Sequence, residues 1–514
     1  MEPESLTRPL LKDEEDHDSP LLPYSTRESV DSTGKNVEFR RWLAEELSNQ
    51  LGIAGPMILV NLLQYSLTVV SLMFVGHLGE LELSSSQIAF TTAHATGLNF
   101  MIGLGSGLET LCGQAYGAKE YRLTGIFLQR AMFVLTLIGI PISFVWWKMG
   151  PILVYIGQDP TISEGAQEYI RFLIPTLFAY ALLQPLVKFL QTQSAVKAMA
   201  VFSAITLAIH VPLCYLVIYT LGFGFRGAAI VTGISQWINV LFLSSYVIFS
   251  STFSKTWTGF STEAFQDIYS FFKVAFPSAV MICLEFWCFD FLILISGLLP
   301  NPELETSSLS VCLNSVAWFY MIPFGLSAAA STRVSNTLGA GLPYAAKAAV
   351  KLTISMALME GMTVAFLLLL GRNIFPHLFS NEPDVLSYVS SMVPFLSVVA
   401  IMDSVQGTLS GVARGCGWQH LGAYCNLCAF YGIAIPVSLL LTFRFHLRGY
   451  GLWGGILAGQ MTQVFLLSLI TCTLNWPKLA DDAAQRVHGA KEHLTSALPR
   501  IVSKVGFVIE DIPT

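Results

Sequence analysis

Twelve apolar stretches, joined by short connections, fill most of the chain. They fall at about 51–75, 86–112, 123–146, 165–191, 197–220, 227–250, 269–298, 306–332, 345–370, 385–412, 420–443 and 450–473. A helix needs roughly 20 apolar residues to cross the hydrocarbon of a bilayer. Inside lipid, a spanning helix must also satisfy its backbone polar groups from within. The pattern therefore predicts an all-α polytopic membrane protein with twelve transmembrane helices. Composition agrees: 53% of the 514 residues are hydrophobic and 12% charged, against about 25% charged in soluble domains. The connections carry helix breakers, at Gly157-Gln-Asp-Pro160, Pro300-Asn-Pro302 and Gly341-Leu-Pro343.

Polar tails flank the apolar region. Residues 1–45 hold an acid run, Asp13-Glu-Glu-Asp16, and no apolar core of a signal peptide. They are expected to be a disordered cytoplasmic tail. Two leucine pairs, Leu10-Leu11 and Leu21-Leu22, resemble sorting signals only loosely. Residues 476–514 form a second polar segment, an interfacial helix or a loose tail. Lys and Arg in the short loops set orientation. Lys119, Arg122, Lys197, Lys255, Arg333, Lys347 and Arg414 fall on one side. Lys148, Arg226, Arg372, Arg444 and Arg448 fall on the other, beside Glu80, Glu82, Glu303 and Glu305. The bias predicts both termini in the cytoplasm.

The first six stretches resemble the second six. Pro56 answers Pro277, and Gly76 answers Gly297. Met101-Ile102 answers Met321-Ile322, and Gly105 answers Gly325. Pro175 answers Pro394, Pro212 answers Pro436, Gly227 answers Gly451, and Gln236 answers Gln460. Matches in order at a nearly constant offset indicate an internal duplication. It predicts an N-lobe over 46–250 and a C-lobe over 251–475. Six spans per lobe send both lobes into the bilayer in the same direction, so their pseudo-twofold axis lies along the membrane normal.

Inside this apolar frame stand two acids of the seventh helix, Glu285 and Asp290, in Met281-Ile-Cys-Leu-Glu-Phe-Trp-Cys-Phe-Asp-Phe-Leu-Ile-Leu-Ile-Ser-Gly297. A carboxylate at the centre of a spanning helix costs about 2.5–3.5 kcal/mol or more. Either both acids sit hydrated near a helix end, or at least one binds and releases a proton or cation. A spacing of five residues turns about 140° around a helix, so the two acids have different neighbours.

The duplication sharpens this. Helix one carries Gln64 where helix seven carries Glu285, and helix four carries Gln184 where helix ten carries Asp403. An amide does not exchange a proton near neutral pH; a desolvated carboxylate can. Ion coupling is therefore expected in the second lobe. Pro277 precedes Glu285 and Pro394 precedes Asp403 by similar intervals. The two acids thus stand at comparable depth and can meet across a shared cavity. Asn314 in helix eight is placed to hydrogen-bond either acid or simply to pack between helices. Trp287, Trp318, Phe319 and Tyr320 are candidates for lining a cavity for aromatic or cationic ligands, or are ordinary packing.

Other signals point to structure. Gly103-x-Gly105-x-Gly107 lies in an apolar span with no strand before it; it suits close helix approach rather than nucleotide binding. No Walker motif, basic face or zinc-finger cysteine spacing is present. Cys425 and Cys428 read as small core residues, and His210, beside Pro212, as a hydrogen-bonded core histidine. Glu109 and Lys119 flank a helix end and read as interfacial. No cofactor, metal or nucleic-acid partner is expected. An intramembrane enzyme would need a catalytic His near an acid or nucleophile, which His210 lacks in sequence.

Cys112-Gly-Gln-Ala-Tyr-Gly-Ala-Lys119, Gly297-Leu-Leu-Pro-Asn-Pro302, Arg333-Val-Ser-Asn336 and Gly411-Val-Ala-Arg-Gly-Cys-Gly-Trp418 together resemble the plant-type multidrug and toxic compound extrusion (MATE) family, over about residues 40–475. The resemblance implies twelve helices in two six-helix lobes and export of organic compounds, commonly in exchange for protons. It implies coupling acids at Glu285 and Asp403, with Asp290 a further acid on helix seven. Prokaryotic members often carry an Asp in helix one, where this sequence has no acid. The expected function is a proton-coupled antiporter that exports or sequesters xenobiotics, secondary metabolites or organic cations. It would act as a monomer at the vacuolar or plasma membrane. The alternative is a flippase for a lipid-linked or amphipathic substrate, which would favour a cationic rather than an acidic cavity.

Overall fold

The structure is a computed structural model. It describes residues 32–378 and 382–509, with side chains over 40–301, 304–305, 307–377 and 382–494. The acid run and both leucine pairs of the N-terminal tail lie outside the described residues. The chain divides into two units, Met1–Leu47 and Ser48–Thr514. In the first, the helix begins at Ser32, so the expected disordered tail is helical from there, and Arg41 pairs with Glu45 one turn on at 3.1 Å. The lobes lie in the second unit.

The helices are α1 (Ser32–Gly76), α2 (Glu80–Ala93), α3 (Asn99–Gly117), α4 (Tyr121–Trp147), α5 (Met149–Ile156), α6 (Pro160–Thr192), α7 (Val196–Tyr215) and α8 (Gly224–Phe249). They continue as α9 (Ile268–Ser296), α10 (Pro302–Gly339), α11 (Pro343–Leu370), α12 (Pro383–Cys416), α13 (Gln419–Asn426), α14 (Ile435–Leu439), α15 (Arg448–Thr473) and α16 (Trp476–Ile509). Among the described residues, 11 helices are long and apolar enough to cross a membrane. The twelfth expected span is α2 and α3, which run on through a π turn at His94–Leu98. Its polar and small residues keep its hydropathy low while its buried face is extensive. The second polar segment is helical, as α16.

Local chemistry fixes the helix ends. Asp159 caps α6 by accepting from the backbone of Thr161 at 2.8 Å and Ile162 at 3.1 Å, and Pro160 occupies the first turn, where no N–H is needed. Gly157 closes α5 with φ +103°, a conformation that side chains resist. The duplication is visible in the backbone as well. A π turn begins four residues after each of the paired prolines Pro212 and Pro436, at Leu216–Thr220 and Leu440–Arg444.

The lobes meet through reciprocal helices. α3 of the first lobe packs along α9 of the second, with Gly103 and Gly107 against the backbones of Ala279 and Ala275. A Cβ at Gly107 would stand 2.9 Å from the Ala275 Cα, so only glycine permits this approach. The matching pair is α10 on α1, where Gly325 meets the Ile58 backbone and Trp318 stacks edge-on with Tyr65 at 5.7 Å. The two contacts follow from one another by the duplication.

Candidate functional site

Glu285 and Asp403 come together in the second lobe. Tyr320 Oη on α10 donates to Glu285 Oε1 at 3.1 Å, and Gln406 Nε2 on α12 donates to Glu285 Oε2 at 2.9 Å. Gln460 Nε2 on α15 donates to Asp403 Oδ1 at 2.5 Å. Tyr320 lies within electrostatic reach of both acids, and Asp403 within reach of Glu285. Four helices thus supply one polar island. Among the described residues neither acid is paired directly with a cation, so each keeps the freedom to change its charge.

A small cavity adjoins this island between α10, α11 and α12. Phe319, Tyr320, Pro323, Glu360, Asp403 and Ser404 are among its lining residues. Glu360 belongs to α11, where Ser404 Oγ donates to its carboxylate. Gly361 presses on Ile401 and Ser404, which brings α11 close enough for that bond. Glu360 is a third intramembrane acid at the site. Its signal in sequence was plain, an acid inside the apolar run Leu358-Met-Glu-Gly-Met362, but its duplicate helix offers no amide to draw attention to it.

Several expected residues stand elsewhere. Asn314 is exposed on α10, and the acids take their hydrogen bonds from Tyr320, Gln406 and Gln460 instead. Asp290 lies near Tyr431 in the π segment Leu427–Ala434, apart from the partners of Glu285. Trp287 donates its indole N–H to Ala95 O at 2.7 Å, within the π turn of the facing lobe, where the looser backbone leaves a carbonyl available. Of the four candidate aromatics, Phe319 and Tyr320 line the cavity, while Trp287 and Trp318 bridge the lobes.

In the first lobe, Gln236 Nε2 meets Gln64 Oε1 at 3.3 Å, and Gln184 packs on Gly105. His210 is a core histidine, 3.1 Å from Ser71 Oγ and 2.8 Å from Ser235 Oγ. Glu109 differs from its expected interfacial place. It is 0% exposed and ion-paired with Lys188 on α6 and Arg414 on α12. No local sequence spacing shows that pairing, since its members come from three distant helices.

Comparison with known proteins places this architecture. The MatE family model matches residues 56–216 and 277–440. The two stretches begin at Pro56 and Pro277, the prolines paired by the duplication. Protein DETOXIFICATION 16 of Arabidopsis thaliana is 51% identical over 446 residues, 87% of this chain and 92% of that one. Protein DETOXIFICATION 17 of the same plant is 51% identical over 443 residues, 86% of this chain and 93% of that one. The crystal structure of the eukaryotic MATE transporter AtDTX14 superposes with a TM-score of 0.84 at 47% identity, covering 87% of this chain and 99% of that one. An outward-facing multidrug resistance MATE transporter shares the fold at TM-score 0.74 and 18% identity, covering 86% of this chain and 96% of that one. This multi-pass membrane protein belongs to the MATE family of transporters, of the multidrug and toxic compound extrusion type.

Proposed function

We propose that the chain is a proton-coupled antiporter that moves small organic compounds out of the cytoplasm. The observation that carries this reading is that Tyr320, which donates to Glu285 of α9, lines one cavity with Asp403 of α12. Two buried carboxylates in one polar island do not both hold charge easily. A proton relieves them, and so does a cationic or polar substrate. Competition between the two gives exchange. Rocking of the lobes then presents the site alternately to each side.

Proton and substrate are linked because each biases the same conformational equilibrium. The loop charges support both termini in the cytoplasm. A vacuolar or a plasma membrane suits the same chemistry, because both hold a proton gradient directed into the cytosol. The site works within one chain, and a monomer suffices.

The test is transport by purified protein in proteoliposomes under an imposed pH gradient, with a panel of organic cations and neutral aromatics. Glu285→Gln should abolish pH-driven exchange at normal expression and unchanged thermal stability. Wild-type exchange by this variant would remove Glu285 from the mechanism.

A further inference from the structure

Where α3, α6 and α12 end, beside Lys119 and Lys197, a carboxylate of the first lobe is held by two cations, one from each lobe. Lys188 Nζ donates to Glu109 Oε1 at 2.5 Å, and Arg414 Nε donates to Glu109 Oε2 at 2.8 Å. Arg414 Nη2 also donates to Ser327 Oγ at 2.7 Å. All three charged side chains are buried, at 0%, 4% and 5% exposure for Glu109, Lys188 and Arg414. Further bonds close the same end. Gln191 Nε2 reaches Ala328 O at 3.1 Å, Asn336 Nδ2 reaches Thr192 O at 3.0 Å, and Gln50 Nε2 reaches Ala349 O at 3.1 Å.

One carboxylate against two cations leaves a positive surplus in a place with little water. A buried charge without compensation is strongly disfavoured. Arg414 lies within electrostatic reach of Glu285, which supplies the missing anion when it is ionised. A polar file on α12 joins the two places. Gln406, Ser410 and Arg414 follow at helical spacing on one face, and Gln406 Nε2 meets Ser410 Oγ at 3.4 Å as well as Glu285. The titratable groups facing Glu285 are Tyr320 on α10, Asp403 and Arg414 on α12, and Cys288 on α9 itself. Asp403 in turn faces Glu360 on α11. Those facing Glu109 are Lys188 and Arg414.

We propose that Glu109, Lys188 and Arg414 form a charge-balanced latch between the lobes. With Glu285 ionised, the buried charges cancel and the lobes stay joined at this end. With Glu285 neutralised, a positive surplus remains, and the lobes part where water can solvate it. The deprotonated carrier is thereby held closed at this end, and opening there waits on neutralisation of Glu285. Arg414 acts here as a positioning residue shared by both lobes. The inference rests on the reading of Glu285 as the proton acceptor.

The experiment uses the full chain in lipid nanodiscs. The exposed Cys428 and Cys472 are changed to serine, and spin labels are attached at Lys119→Cys and Lys347→Cys, two exposed positions in opposite lobes. Inter-label distances are measured at mildly alkaline and mildly acidic pH. The wild type should give a short distance at alkaline pH and gain a longer one on acidification. Glu285→Gln should give the longer distance at both. Lys188→Gln should reverse the response, short at acidic pH, where Glu109 and Arg414 balance, and longer at alkaline pH, where ionised Glu285 leaves a negative surplus. Arg414→Lys keeps the charge and should keep the pH response. A wild-type pH response in Lys188→Gln, or in Glu285→Gln, overturns the latch. Should Lys188→Gln not fold, the Glu285→Gln distances decide alone. Proton-driven transport by Glu285→Gln would instead overturn the reading of Glu285 beneath it.

Discussion

Gln406 on α12 gives its side-chain N–H to Glu285 on α9 at 2.9 Å, tying together the helices that carry Glu285 and Asp403. Gln460 gives the same kind of bond to Asp403. In the first lobe the residue that answers Gln460 is Gln236, and it meets not an acid but Gln64, at 3.3 Å. The duplicated frame is the same in both lobes, and the chemistry placed in it differs.

Gln406→Leu should weaken pH-driven uptake without unfolding the protein. A hydrogen bond to a charged group contributes about 1.5–3 kcal/mol, so a loss of roughly tenfold or more is expected. Tyr320→Phe removes the other donor to Glu285 and should act in the same direction. Uptake rates in proteoliposomes, normalised to reconstituted protein, check both. Unchanged rates would show that Glu285 does not depend on these donors.

Gly107→Val should separate α3 from α9. Its new Cβ meets the Ala275 backbone, which has no room to yield, and overpacking of this kind typically costs about 1–3 kcal/mol. Gly52→Ala is the contrast, since nothing lies within 4 Å of the added Cβ and alanine favours the helix. Thermal unfolding in detergent should show a lower Tm for the first and an equal or higher one for the second.

The first lobe should carry no independent coupling proton. Gln64 and Gln184 hold the positions that answer Glu285 and Asp403, and Glu109, though buried, is committed to two cations. A variant with both Glu285→Gln and Asp403→Asn should show no proton movement coupled to substrate. Persistent proton-driven exchange, measured as stoichiometry, would place a coupling site in the first lobe.

α16 should stabilise the bundle through one residue more than through its others. Arg486 Nη1 donates to Gln114 Oε1 at 2.6 Å in the first lobe, and Nη2 to Cys416 O at 3.2 Å in the second. Arg486→Ala should lower Tm measurably. Lys491→Ala, which loses a largely exposed pair with Glu120 at 2.6 Å, should change stability by less than about 1 kcal/mol.

The spans were legible because hydropathy and length act locally. Every expected stretch coincides with a helix, and the offsets to Pro277 and Pro436 indicated matching lobes, whereas the matching π turns after Pro212 and Pro436 emerge only in the structure. Glu285 and Asp403 were legible because an acid in an apolar run stands out, and the amides at Gln64 and Gln184 supplied an internal contrast. What sequence did not show is what comes from other helices. Gln406 and Gln460 replace Asn314 as donors because helix rotation, not spacing, decides which side chain faces the acid. Arg414 read as a loop charge because its partner lies some 300 residues earlier in the chain, at |i−j| = 305. The π turn at His94–Leu98 has no local signature, yet it provides the carbonyl that Trp287 binds.

The central claim is that Glu285 and Asp403 act as one coupling unit. A double-mutant cycle on pH-driven transport tests it most directly, using Glu285→Gln, Asp403→Asn and the pair in proteoliposomes. Residues that work through a shared charge are non-additive. The account predicts that each single variant loses nearly all pH-driven exchange and that the double variant loses little more. Losses that add, each acid contributing its own share independently of the other, would contradict it.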